Sequence, residues 1–177
     1  RMGLVTASVG PSISSVYGAA PRMSGALFLT ISQSGRSPDL LSLTEMARHA
    51  LLRDDYRASL KLSERAHPLF AAGAAGTLLL NYSHLVQLAI ASARVARQET
   101  GEERERLLAQ YDAAATRVRA LSALSTENFA AYRSLVDAEG MVARQDSGGA
   151  VARYLAAIEH AKQSAFVLVQ AQATQKL

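Results

Sequence analysis

The stretch Ile31-Ser32-Gln33-Ser34-Gly35-Arg36-Ser37-Pro38-Asp39 is a polar loop set between two apolar segments of different period. An apolar run, Gly25-Ala26-Leu27-Phe28-Leu29-Thr30-Ile31, leads in, and Leu40, Leu41, Leu43, Met46 and Ala47 lead out at helical spacing. The expected order is a buried strand over 26–32, a tight loop, and a helix over 38–49. Ser37 suits the N-cap and Pro38 the first helical position, where its missing N–H costs nothing. The loop therefore offers a helix start with free N–H groups, a glycine, and serine hydroxyls, which is the physical recipe for holding a phosphate. Serine and glycine also make ordinary βα turns, so composition alone leaves both readings open.

Ser32-Gln33-Ser34-Gly35-Arg36-Ser37-Pro38-Asp39, preceded by Ala26-Leu27-Phe28-Leu29, resembles the sugar-isomerase (SIS) domain of glutamine–fructose-6-phosphate aminotransferase and related phosphosugar isomerases. Gly3-Leu4-Val5-Thr6-Ala7-Ser8 and Pro11-Ser12-Ile13-Ser14-Ser15-Val16-Tyr17 share the resemblance, which spans residues 1–50. It implies that Ser32, Gln33, Ser34, Gly35 and Ser37 hold the phosphate and hydroxyls of a sugar such as fructose 6-phosphate or glucosamine 6-phosphate. A complete domain of that family is a doubly wound parallel sheet of about five strands. Here the first strand and its Gly/Ser loop have no counterpart before Arg1, and no further strand pattern comes after 38–49, so the expected α/β unit is small and incomplete. The acidic, histidine and lysine residues that catalyse in the family have no match, so recognition without turnover is expected and an isomerase fragment ranks third.

The 177 residues contain 49% hydrophobic residues, enough for a real core. There is no cysteine, which excludes disulfides and thiolate metal sites and fits a reducing, cytoplasmic setting. No charged n-region precedes an apolar run, so no signal peptide is expected. Leu69 to Ala91 is the most apolar window, but Asn81, Ser83, His84 and Gln87 interrupt it, so a buried helix is expected rather than a membrane span. The formal charge is +4 and aromatic residues are 6%. Lysine occurs only at 61, 162 and 176, and the arginines scatter along helical faces near acids. That is a solvated, ion-paired surface rather than a nucleic-acid interface, so no nucleic-acid partner is expected.

In order, residues 3–9 read as a strand, Ser12–Tyr17 as a short helix and 18–25 as loop. From residue 50 the chain is alanine-rich and helical. The pattern predicts a helix over 51–66 stopping at His67-Pro68, a connection over 69–77, and an apolar helix over 77–98 bearing Leu78, Leu79, Tyr82, Leu85, Val86, Ala89 and Ile90. Thr100-Gly101-Glu102-Glu103 reads as a capping box opening a helix over 101–123. Thr126 is the expected cap of the next helix, with Phe129, Tyr132, Leu135, Val136, Ala138 and Val142 on its apolar face. Asp146-Ser147-Gly148-Gly149 reads as a turn. Next comes a helix bearing Val151, Tyr154, Leu155, Ile158 and Ala161, then a short one with Phe166, Val167, Val169 and Ala173.

Thr126-Glu127-Asn128-Phe129, Leu135-Val136-Asp137-Ala138-Glu139, Tyr154-Leu155-Ala156-Ala157-Ile158-Glu159-His160-Ala161 and Ala165-Phe166 resemble the tetratricopeptide-like helical region of large bacterial signalling proteins, where it joins an ATPase module to sensor or histidine-kinase modules. The resemblance spans 51–177 and implies a protein partner. No Gly-x-x-x-x-Gly-Lys-Ser/Thr loop is present, so those enzymatic activities do not carry over. The expected fold is mostly α, an antiparallel helical-repeat array preceded by the SIS-like unit. The two resemblances meet abruptly at residue 50, a pattern that a natural fusion and a recombined reading frame share.

His49, His67, His84 and His160 lack His-x-x-x-His spacing, so neither metal nor cofactor is expected. His84 reads as a partly buried, hydrogen-bonded side chain. Asp54-Asp55 reads as a helix start and Glu102-Glu103 as a cap. Tyr82, Tyr111, Tyr132 and Tyr154 read as packing residues, and Arg36 either as a supplement to phosphate binding or, more plainly, as an exposed loop arginine. The favoured function is a phosphosugar-binding module joined to a helical-repeat interaction region. The alternative is an interaction scaffold alone.

Overall fold

A computed structural model describes residues 37–71 and 78–177. The described residues form seven helices and no strand: α1 Ser37–Leu52, α2 Tyr56–Ala71, α3 Leu78–Ala96, α4 Gly101–Ser122, α5 Thr126–Ala143, α6 Ser147–Gln163 and α7 Val167–Thr174. The mostly α expectation holds for these residues. The strands expected at 3–9 and 26–32, the short helix at 12–17 and most of the connection at 69–77 lie outside them.

Each helix packs on its successor. The odd helices also pack on one another in order, α1 on α3, α3 on α5 and α5 on α7. The odd helices thus make one layer, and α2, α4 and α6 bridge successive members of it from the other side. The core runs between the layers through Tyr82, Leu85, Leu88, Leu107, Tyr111, Leu135, Tyr154 and Val169, all buried. Alanine fills much of the rest, at 89, 93, 115, 138, 157 and 161. A methyl side chain lets helix axes approach toward the lower end of the usual ~8–10 Å spacing. Tyr82, Phe129, Tyr132 and Phe166 form an aromatic chain linking α3, α5 and the residue before α7. Ring centroids are 4.2 Å apart for Tyr82 and Phe129, 6.1 Å for Tyr82 and Tyr132, and 5.5 Å for Tyr132 and Phe166.

Three of the turns are one motif. Asp54, Gln145 and Ala165 have φ of 59°, 65° and 56°. In each case the next N–H reaches back five residues: Asp55 to Ala50 O at 2.9 Å, Asp146 to Met141 O at 3.0 Å, Phe166 to Ala161 O at 2.8 Å. This is the Schellman ending of a helix, with a left-handed residue in the position glycine usually takes. Two of the three then pass straight into an aspartate cap. Asp55 accepts from the Ala58 N–H at 3.1 Å and Asp146 from the Gly149 N–H at 2.9 Å.

Several expected boundaries move for physical reasons. The helix expected over 51–66 starts at Tyr56, because Leu51 and Leu52 finish α1 and Asp54 turns the chain. It does not stop at His67-Pro68: Pro68 lies inside α2 on its exposed side, and the helix runs to Ala71. The capping box is absent. Thr100 makes no side-chain cap bond, and Glu103 is taken by Arg106 at 2.8 Å. Ser125, not Thr126, precedes α5. The turn expected at 146–149 is the first turn of α6. Leu79, Val151, Leu155 and Val167, all expected on apolar core faces, are exposed.

Candidate functional site

Of the expected phosphosugar residues, Ser32, Gln33, Ser34 and Gly35 lie outside the described residues, as does Arg36. Ser37 is the first residue of α1. Within the described residues a partly buried polar grouping lies elsewhere, where the C-terminal thirds of the odd helices converge.

Arg94 on α3 and Glu139 on α5 are ion-paired there, both buried. The 3.6-residue period places Arg94 one turn beyond Ile90 and Glu139 one turn beyond Leu135 on the same inward stripes. Tyr154 of α6 closes one side, its hydroxyl 3.4 Å from Arg94 Nη2. Tyr56, first residue of α2, lays its ring 5.3 Å from the Arg94 guanidinium carbon. The Tyr56 hydroxyl donates to Asp54. From the end of α7, Lys176 Nζ donates to Asp54 at 3.2 Å and to the Tyr56 oxygen at 3.1 Å. The turn after α1 is thereby tied to the residues after α7.

This arrangement sets the electrostatics. Burial alone lowers the Arg94 pKa, but the Glu139 carboxylate outweighs it and the net shift is upward, so the guanidinium stays charged. The Tyr56 hydrogen bond, helped by Lys176, holds the Asp54 carboxyl below its ordinary value. Burial raises the Tyr154 hydroxyl, and Glu139 adds to that. The cavity among these groups is about 30 Å³, the space of about one water molecule. Arg94 Nε and Glu139 Oε2 face no partner among the described residues. A space of that size holds a water molecule rather than a sugar or a peptide.

A second pair joins α2 to α3. His67 Nδ1 and His84 Nε2 are 3.1 Å apart, and His84 stacks on Phe70 with ring centroids 4.4 Å apart. Burial, aided by His67 and Arg117, lowers the His84 pKa to about 3, so its imidazole is neutral at ordinary pH. His84 is fully buried rather than partly so, and it is hydrogen-bonded as expected. No group of three or more His, Asp or Glu side chains able to hold a metal occurs among the described residues. Of the paired acids, Asp55 caps α2 and Asp54 pairs with Lys176. Tyr82, Tyr111 and Tyr154 are buried core residues and Tyr132 packs against the core. No helix of the described residues is long and apolar enough to cross a membrane.

Arg94–Glu139 and His67–His84 escaped the sequence reading because their members lie 45 and 17 residues apart on different helices. The only sequence signal was a lone ionisable residue on an otherwise apolar stripe. Compared with known proteins, the chain matches no family model, no curated protein and no solved structure.

Proposed function

We propose that residues 37–177 form a helical-repeat interaction scaffold. One observation carries this reading: four of the six buried positions of α4 recur, 43 residues on, as the buried positions of α6. Leu107, Tyr111, Ala114 and Val118 on α4 correspond to Ala150, Tyr154, Ala157 and Ala161 on α6. The recurring Schellman turns and the packing of each helix on its next and next-but-one neighbours support it. A spacing of 43 residues is longer than the ~34 of tetratricopeptide repeats and falls in the ~40–47 range of longer helical-hairpin repeats. Elements with fewer packed neighbours open first. Hydrogen exchange on the full chain tests this: protection should be greatest in α3 and α5 and decline toward α1 and α7. Uniform protection lost in a single step would count against a repeat array.

A second reading, phosphosugar recognition by the loop Ser32–Ser37, is supported by the SIS resemblance and by α1 beginning directly after that loop. Its test is titration with fructose 6-phosphate and glucosamine 6-phosphate, wild type against Ser34→Ala. Absence of wild-type binding in the millimolar range would sink it.

A further inference from the structure

The ion pair between α3 and α5 is engaged through one atom of each partner. Arg94 Nη2 donates to Glu139 Oε1 and lies 3.4 Å from the Tyr154 hydroxyl. Arg94 Nε and Glu139 Oε2, the two further atoms that a side-by-side pairing would join, are buried and have no partner among the described residues. Nε has one proton to give, and an ionised carboxylate oxygen can only accept. Both residues line the cavity of about 30 Å³. One water takes about the same volume, ~30 Å³, in the liquid. On the α7 side the cavity is bordered by Gln172 and Gln175. The charged groups in its lining are already matched two and two, Arg94 with Glu139 and Lys176 with Asp54.

We propose that this cavity is a binding site for a single resident water, which accepts from Arg94 Nε and donates to Glu139 Oε2. A carboxamide, that of Gln172 or Gln175, gives it a third hydrogen bond, the usual number for a buried water. A neutral ligand suits the site better than an ion. A cation would sit against Arg94 and an anion against Glu139, with no unmatched counter-charge in the lining to offset its desolvation. An apolar occupant would leave Nε and Oε2 buried without hydrogen bonds, which is costly. A water satisfies both at once. It joins α3 to α5 a second time, beside the direct contact, and draws α7 into the same joint. The odd layer is then closed at this end by one hydrogen-bonded unit rather than by an isolated ion pair.

The test is a crystal structure of the full chain at a resolution that shows ordered water, with parallel crystals soaked in bromide and in rubidium. The expected result is a density peak within about 3 Å of both Arg94 Nε and Glu139 Oε2 that gains no anomalous signal from either soak. The double variant Arg94→Met/Glu139→Met removes both hydrogen-bonding atoms and should lose the peak. An empty cavity in the wild-type map overturns the proposal, as does finding Nε and Oε2 bonded directly to each other or to a protein side chain. An anomalous bromide or rubidium peak in the cavity overturns it too, because the site then takes an ion. A water retained in the double variant shows that this pair is not what holds it. The wild-type crystals decide the matter alone if the double variant does not fold.

Discussion

Arg94 and Glu139 form an ion pair inside the helical body, their side chains 10% and 3% exposed. The pair joins neighbouring helices of the odd layer, α3 and α5, and Tyr154 of α6 is in reach of it. Desolvation of both charges offsets much of their attraction, so the pair adds little net stability over a well-packed apolar replacement. Removing one partner is a different matter, because the other charge is then stranded.

Arg94→Met and Glu139→Met should each lower the unfolding free energy by about 3–5 kcal/mol, measured by urea denaturation. The double variant should cost much less than the two added together. Additive losses would show that the two side chains do not depend on each other.

Gly140 faces Tyr111 across the α4–α5 contact. A Cβ at 140 would sit 2.6 Å from Tyr111 Cε1 and closer still to its Cζ and hydroxyl oxygen. Tyr111 is fully buried and its hydroxyl is bonded to Val136 O, so it has nowhere to move. Gly140→Ala should therefore destabilise by about 3 kcal/mol, against the small gain in helix propensity expected at an open position. Combining it with Tyr111→Leu should cost less than the sum of the two single changes in thermal unfolding.

Gln145 and Ala165 hold left-handed backbone at φ 65° and 56° without glycine's freedom. The left-handed region costs a non-glycine residue about 1–2 kcal/mol. Gln145→Gly and Ala165→Gly should each raise the unfolding free energy by about 1 kcal/mol, less the entropy glycine adds to the unfolded chain. Gly101 is the mirror case, already glycine at φ 59° with open space around it, so Gly101→Ala should destabilise by a similar amount through backbone strain. Chemical denaturation of the three variants checks both signs.

These turns also show what the sequence carried and what it did not. The helical character of 78–174 was legible because Tyr82, Tyr111, Tyr132 and Tyr154 recur with apolar neighbours at helical spacing, and burial rewards that period directly. The turn at Gln145 was not, since glycine is the usual marker of such a turn and occurs only three residues later, where Gly148 and Gly149 are already helical. Pro68 misled for a related reason. A proline removes one hydrogen bond, and the packing of Ala66 and Phe70 against Leu43 and Leu80 carries α2 past it. Glu103 had the spacing of a capping residue, but Arg106 one turn later competes for its carboxylate and holds it. The candidate contacts at Arg94 and His84 depend on tertiary approach, which no local pattern encodes.

His84 supplies a pH dependence with a definite sign. Its folded pKa is about 3 against an ordinary value of 6.5, with burial as the main cause. Between those values the unfolded chain takes up a proton at this site and the folded chain does not. Stability from this group is therefore complete above pH 6.5 and is lost as pH falls toward 3, at up to about 1.4 kcal/mol per pH unit. Paired carboxylates such as Asp54 and Glu103, held below their ordinary values, also lose stability on acidification, but lower on the scale. The informative quantity is thus the difference between wild type and His84→Gln across pH 7 to about 4.5. The variant gives up the His67 contact and the stacking on Phe70, so it should be the less stable protein at pH 7. Because it has no proton to take up at position 84, its stability should fall less steeply with acid and the two curves should converge. Parallel curves would mean that the imidazole at 84 titrates alike in both states and that its burial carries no linkage.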